Sequence, residues 1–140
     1  MIKTLSTDEA HELLRESRLA RLGCVIDGEP YVVPVNYYLD GDCAYIHSLP
    51  GRKVEALRAN PRACLQVDDI KDEVGWRSVL AYGTYEEIKG REERARVLNA
   101  LYERFPLLTP VESAIACDAS PPAIIVFRLR LDSINGIQEG

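Results

Sequence analysis

Seven consecutive residues, His47-Ser48-Leu49-Pro50-Gly51-Arg52-Lys53, bring together a histidine, a hydroxyl, a Pro-x turn and two cations at the start of a predicted helix. That helix, from about Arg52 to Asn60, is closed by Pro61, which cannot continue it and biases the preceding residue away from helical geometry. Its first turn therefore points free backbone N–H groups and the positive dipole end back at Ser48 and Gly51. A phosphate there would gain those donors, the Ser48 hydroxyl and the charges of Arg52 and Lys53. Two readings stand on this stretch alone: an anion cradle, or an ordinary strand–turn–helix junction with two solvated cations. It is not a Walker loop, because the Gly-x-x-x-x-Gly-Lys-Ser/Thr pattern is absent.

Other reactive side chains are few. His47 and His11 are the only histidines, and His11 reads as a surface residue of an N-terminal helix. Cys24, Cys43, Cys64 and Cys117 show no C-x-x-C spacing and no metal-ligand spacing to either histidine, so they read as reduced packing residues. A net charge of −5 argues against nucleic acid or an anionic membrane as partner, so any phosphate site is a local reversal of sign. The N-terminus lacks a signal-peptide pattern and no run of 18 uncharged apolar residues occurs, so a cytoplasmic protein is expected. A chain of 140 residues, 46% hydrophobic and 28% charged, is expected to form one domain over 1–140. Its core is small, and a second subunit completing a cofactor pocket fits that size.

The elements that must position the heptapeptide are mostly strands. Ser6-Thr7-Asp8-Glu9 opens a first helix with a capping-box pattern, and the helix runs to about Glu16. Strands follow over Leu19 to Ile26, Pro30 to Leu39 and Asp42 to His47, separated by Asp27-Gly28 and Asp40-Gly41, which predicts a three-strand meander. Pro34 lies inside the second of these and marks an edge, a bulge or an opening of the ladder. Arg62 to Asp68 is a fourth strand, with Ala63, Leu65 and Val67 on one face. Asp69 to Gly75 reads as a loop, and Trp76 to Ile88 as a long fifth strand bent at Gly83. Arg91 to Phe105 has the spacing of a packed helix, 106–122 has no clear pattern, and Ala123 to Leu131 is a sixth strand that Ser133–Gly136 extends after a bend. With no β-α-β alternation, the expected fold is mainly β with peripheral helices, a six-stranded antiparallel barrel.

Taken together, Pro30-Tyr31-Val32-Val33-Pro34-Val35-Asn36-Tyr37, Tyr45-Ile46-His47-Ser48 with Gly51-Arg52-Lys53, Asn60-Pro61-Arg62, and Ser78-Val79 with Gly83 resemble the pyridoxamine 5′-phosphate oxidase-related flavoproteins. The pattern is most similar to their nitroimidazole-resistance branch. The resemblance implies an FMN-binding split barrel that forms a homodimer with flavin at the subunit interface. It implies that Val33, Pro34, Val35, Asn36 and Tyr37 line the isoalloxazine ring with their backbone. His47 and Ser48 would lie beside the flavin, Arg52 and Lys53 would hold the phosphate, and Trp76 and Ser78 would face the site, from the partner subunit in one version.

The function expected is reduction of a small, nitroaromatic-type acceptor with electrons from NAD(P)H, with His47 either donating a proton or bonding the phosphate or loop. Tyr37, Tyr38 and Trp76 stack on a planar substrate in one reading and are core aromatics in the other. A second phosphate-bearing substrate needs another basic cluster, for which only Arg77, Arg128 and Arg130 offer themselves. The competing classes are a non-catalytic flavin-binding or redox-sensing module and a relative using F420 or haem, with His47 as haem ligand.

Overall fold

The computed structural model describes residues 1–105 and 124–140, so the expectations for 106–122, Cys117 and the start of the last strand at Ala123 lie outside the described residues. Element order is β1 (Ile2–Thr4), α1 (Thr7–Glu16), β2 (Leu19–Ile26), β3 (Glu29–Asn36), β4 (Tyr38–Asp40), β5 (Cys43–Ser48), α2 (Arg52–Ala59), β6 (Arg62–Asp72), β7 (Gly75–Glu87), α3 (Arg91–Arg104) and β8 (Ile125–Glu139). All eight strands join one antiparallel sheet in the order β3-β2-β6-β7-β8-β5-β4, with β1 pairing β8. Among the described residues the fold is a split barrel with eight strands, where six were expected.

The additional strands have a physical origin. The predicted strand Pro30 to Leu39 breaks at Tyr37. Its first part pairs β2 and its last part pairs β5, so the expected continuous meander is corrected to two edges of one sheet joined through a single residue. Tyr37 makes that joint because its ring is fully buried and its hydroxyl donates to the Leu14 carbonyl at the end of α1. The predicted loop Asp69 to Gly75 is also mostly strand. β6 continues to Asp72 and returns through a tight turn in which the Asp72 carboxylate accepts from the Val74 N–H at 2.9 Å.

The inward faces of β2, β6 and β7, carrying Leu22, Leu65, Val67, Val79 and Ala81, form the core with α1 plugging one end. α1 has the expected capping box: Glu9 N–H donates to Ser6 Oγ at 3.1 Å and Ser6 N–H to Glu9 Oε1 at 3.0 Å. Its Leu13 and Leu14 are buried, each contributing about 1.5–3 kcal/mol of transfer free energy. At the bend in β7, a Cβ on Gly83 would sit 2.8 Å from the Arg130 carbonyl oxygen. The β7–β8 register slips between Tyr82 and Gly83, so the bend expected at Gly83 is a bulge where the two backbones also approach closely. The residue skipped by the slip, Asp132, meets Arg62 in a two-pronged ion pair at 2.5 and 2.9 Å.

Candidate functional site

β5 ends at Ser48 and the chain turns through Leu49, Pro50 and Gly51 into α2. α2 is seated by its buried Val54, Ala56 and Leu57, and its N-cap Gly51 supplies no side-chain acceptor to the first turn. The Ser48 hydroxyl is almost fully buried and donates to the Leu49 carbonyl at 2.8 Å, so its proton is engaged locally while its lone pairs are not spent on that bond. The Arg52 guanidinium lies over the Tyr31 ring, 5.7 Å from its centroid. Lys53 is half-buried; burial pushes its ammonium pKa down, with Cys24 pulling it back up. Burial likewise pushes the Cys24 thiol up, with Cys64 adding to the shift and Lys53 opposing it. Cys24 and Tyr31 are directly opposed across β2 and β3, so the two cations stand over one cross-strand pair.

Among the described residues, neither Arg52 nor Lys53 has a carboxylate partner, whereas Arg21, Arg58, Arg62, Arg77, Arg96, Arg128 and Arg130 all do. A partly desolvated ammonium without a counterion is a costly arrangement that an anionic ligand relieves. The residues therefore fit a phosphate. They do not build a second phosphate site from Arg77, Arg128 and Arg130: Arg77 bonds Asp69 at 3.0 Å, and Arg128 and Arg130 converge on Glu86 at 2.7 and 3.0 Å.

Beside this cradle runs the edge of β3. Tyr37 N–H donates to Arg18 O at 3.4 Å in the same register that pairs Ala20 with Val35 and Leu22 with Val33. Alternation then makes Tyr31, Val33 and Val35 the residues bonded to β2 and turns the backbone of Pro30, Val32, Pro34 and Asn36 to the open edge. Both prolines fall where no N–H is needed by the ladder, so Pro34 is an edge residue in a regular strand rather than a bulge. The edge offers carbonyls and only two N–H groups, those of Val32 and Asn36. Val35 is buried and Val33 half-buried toward the interior. Tyr37 contributes no ring to a ligand: its burial corrects the stacking option, and burial also pushes its hydroxyl pKa far up. Tyr38 stacks on Tyr45 with centroids 5.0 Å apart.

Trp76 and Ser78 lie elsewhere on the outer face. Asn36 pairs Leu19, and Arg21 pairs Gln66, which puts Leu19 level with Asp68, the partner of Ser78. Ser78 thus shares a row with Asn36 but lies three strand spacings away, about 14 Å. Its hydroxyl accepts from Gln66 Nε2 at 3.0 Å, in a network with Asp68 and Arg21. Trp76 is two residues further along, opposite Ile70. Around them the outer face exposes Leu19, Val32, Ile70, Tyr82 and Ile137, an apolar surface spanning five strands. Neither Trp76 nor Ser78 borders the β3 edge of its own chain.

His47 and Ser48 point to opposite sides of β5. His47 is 7% exposed and faces α3, with the Tyr102 ring edge-on at 6.0 Å, next to the cluster of Tyr45, Val97, Leu101 and Val126. A single ligand touches both only by wrapping the end of the strand. Two residues at the cradle that the sequence did not single out are Cys24 and Tyr31. No spacing signal marks them, because they reach α2 only through the folding of the β2–β3 hairpin beneath it.

The model of the family described as pyridoxamine 5′-phosphate oxidase matches residues 6–138. The chain belongs to that family. A relative from Rhizobium meliloti, an uncharacterized protein, is 34% identical over 87 residues, which are 62% of this chain and 58% of the relative. The chain thus spans under two thirds of that relative's length. The crystal structure of an FAD-binding protein from Mesorhizobium loti aligns over 100% of this chain and 98% of its own, at 31% identity and a TM-score of 0.79. A Bacteroides thetaiotaomicron structure described as a candidate 5-nitroimidazole antibiotic resistance protein aligns over 99% and 89%, at 21% identity and a TM-score of 0.74, a likeness of fold.

Proposed function

We propose that this chain binds FMN, with the phosphate between Ser48, Arg52 and Lys53 and the ring along the open edge of β3, and acts as an FMN-dependent oxidoreductase on a small acceptor of the nitroaromatic type. The observation that carries the reading is the pair of adjacent cations at the start of α2, neither with a carboxylate partner among the described residues; Lys53 is half-buried and so desolvated without a counterion. The free carbonyls of Pro30, Val32, Pro34 and Asn36 and the N–H groups of Val32 and Asn36 suit the mixed acceptors and donors of a flavin's pyrimidine edge. The 31% identity to an FAD-binding protein supports a flavin as the ligand class.

The functional unit in this reading is a homodimer. Trp76 and Ser78 stand about 14 Å or more from the β3 edge of their own chain, so they reach a flavin there only from a second copy, whose apolar outer face also gains cover. Bound flavin supplies hydride and electron transfer between NAD(P)H and the acceptor. The chain positions the ring, neutralises the phosphate and, at His47, offers a proton from the α3 side of β5. The reading places the protein in the cytoplasm, where NAD(P)H is available and thiols such as Cys24, Cys43 and Cys64 stay reduced.

The test starts with the visible spectrum of purified protein and mass spectrometry of what denaturation releases. FMN uptake, anaerobic bleaching by NADH or NADPH, and recovery of colour on adding a nitroaromatic or quinone are the expected results. Flavin uptake without turnover of any acceptor would leave a binding or redox-sensing module. A colourless protein that takes up no flavin overturns the cofactor assignment. The His47→Ala variant separates roles: retained flavin affinity with slowed acceptor reduction marks a proton donor, and lost affinity marks a positioning residue.

A further inference from the structure

The last turn of a helix leaves carbonyls without donors, and in α1 they are met from two distant parts of the chain. The Ser17 N–H and hydroxyl take up the Leu13 carbonyl, and the Tyr37 hydroxyl takes up that of Leu14. Arg104, 87 residues beyond Ser17 in the last turn of α3, donates from Nη2 to the carbonyls of Arg15 at 3.1 Å and Ser17 at 2.9 Å. Its guanidinium also sets a cation at the negative end of the α1 dipole. Its Nε is buried and bonds nothing among the described residues, so the side chain is committed to these two carbonyls. The segment it grips anchors the open edge of β3. The Arg18 carbonyl accepts from the Tyr37 N–H and from Asn36 Nδ2, both at 3.4 Å, and Leu19 opposes Asn36 in the ladder. Phe105 holds the same segment, with the Arg18 guanidinium 5.0 Å from its ring centroid. Bonds longer than roughly 3.2 Å are weak, so the place of Asn36 depends on where Arg18 is held.

We infer that Arg104 is a positioning residue for the flavin: by holding Ser17 and Arg18 it fixes the Asn36 N–H against the pyrimidine edge of the ring, and so sets how tightly the ring is held and how readily it is reduced. This rests on the placement of the ring along β3 made above. Asn36 supplies one of the two N–H groups on that edge, the one beside the strand break at Tyr37, where no further ladder bond to β2 steadies the backbone. Reduction adds electron density to the pyrimidine edge, so a donor fixed there favours the reduced flavin over the oxidised one. Arg104 acts through the end of α1 and touches no ligand itself. α3 thereby controls a β3 edge with which it shares no ladder.

The experiment compares the native chain with Arg104→Met and Arg104→Lys by three readings: FMN affinity from fluorescence titration, the reduction potential of the bound flavin, and competition by inorganic phosphate, which reaches the cradle alone. In Arg104→Met, FMN affinity is expected to fall by about 2- to 12-fold, the net worth of one hydrogen bond. The reduced form loses about three- to tenfold more than the oxidised form, a potential lower by about 15–30 mV for a two-electron couple. The phosphate constant stays as in the native chain, because Ser48, Arg52 and Lys53 are untouched. Arg104→Lys keeps a cationic donor for the Ser17 carbonyl and recovers part of both losses. If Arg104→Met does not fold, Arg104→Gln carries the same three readings. Native FMN affinity and potential in a folded variant overturn the inference and leave the flavin reading intact. So does equal weakening of FMN and phosphate with an unchanged potential, which marks a role in stability alone. A native chain that binds no FMN overturns the ring placement, and this inference with it.

Discussion

Replacing Lys53 by Met separates a ligand-binding cation from a structural one, because the two roles predict opposite signs. In the folded chain the Lys53 ammonium is half-buried, its pKa is pushed down by burial, and among the described residues no carboxylate offsets that cost. Methionine keeps the length and apolar stem, so the stability of the flavin-free protein stays the same or rises. The rise is at most about 1 kcal/mol, since solvent screens a group that is only partly covered. The effect on ligand runs the other way. A charge-assisted bond to phosphate contributes about 1.5–3 kcal/mol, so flavin affinity falls by about 10- to 150-fold. Arg52→Ala acts in the same direction but more weakly, as Arg52 is exposed and stacked on Tyr31. Urea denaturation of the flavin-free form and fluorescence titration of flavin together read both signs. Unchanged flavin affinity in a folded Lys53→Met protein refutes the reasoning, and so does a loss of more than about 1 kcal/mol of stability, which assigns Lys53 a structural role.

Three further outcomes follow from the same structure. A bound anion favours the charged form of Lys53 and raises the pKa that burial has lowered, so binding takes up a proton between the two values; flavin affinity falls as pH climbs toward the ordinary lysine range, and Lys53→Met removes that slope in titrations at successive pH values. Tyr37→Phe strips the buried Leu14 carbonyl of its donor and costs about 1–3 kcal/mol by urea denaturation, with a change under about 0.3 kcal/mol counting against the bond. Gly83→Ala sets a methyl group against the backbone oxygen of Arg130, which no rotamer change relieves, and lowers stability by about 1–3 kcal/mol. A Gly83→Ala protein as stable as the native one would mean that the bulge at Asp132 yields freely.

The boundaries of the helices were legible because their signals are local. Ser6 and Glu9 lie three residues apart, Pro61 stops α2 one residue after its cap, and the α2 and α3 ends fall within a residue of the spacing-based bounds. The alternation of Ala63, Leu65 and Val67 against Cys64 and Gln66 is the burial pattern observed in β6. Polar composition misled at Asp69 to Gly75, since a solvated hairpin end carries charged residues as readily as a loop does. The break at Tyr37 had no local mark. It depends on α1 presenting the Leu14 carbonyl to a tyrosine 23 residues further along the chain.

The candidate site divides the same way. The order of turn, cations and helix start in His47 to Lys53, with the prolines of the preceding strand, is written in the chain, because a helix start and a missing N–H are properties of one or a few residues. Three things required the tertiary structure: that among the described residues Arg52 and Lys53 lack carboxylates while seven other arginines have them, that Trp76 and Ser78 lie on a face remote from their own β3 edge, and that His47 turns toward α3. Each depends on which strands are neighbours, and strand pairing is decided by contacts across the whole barrel rather than by the period of any one strand.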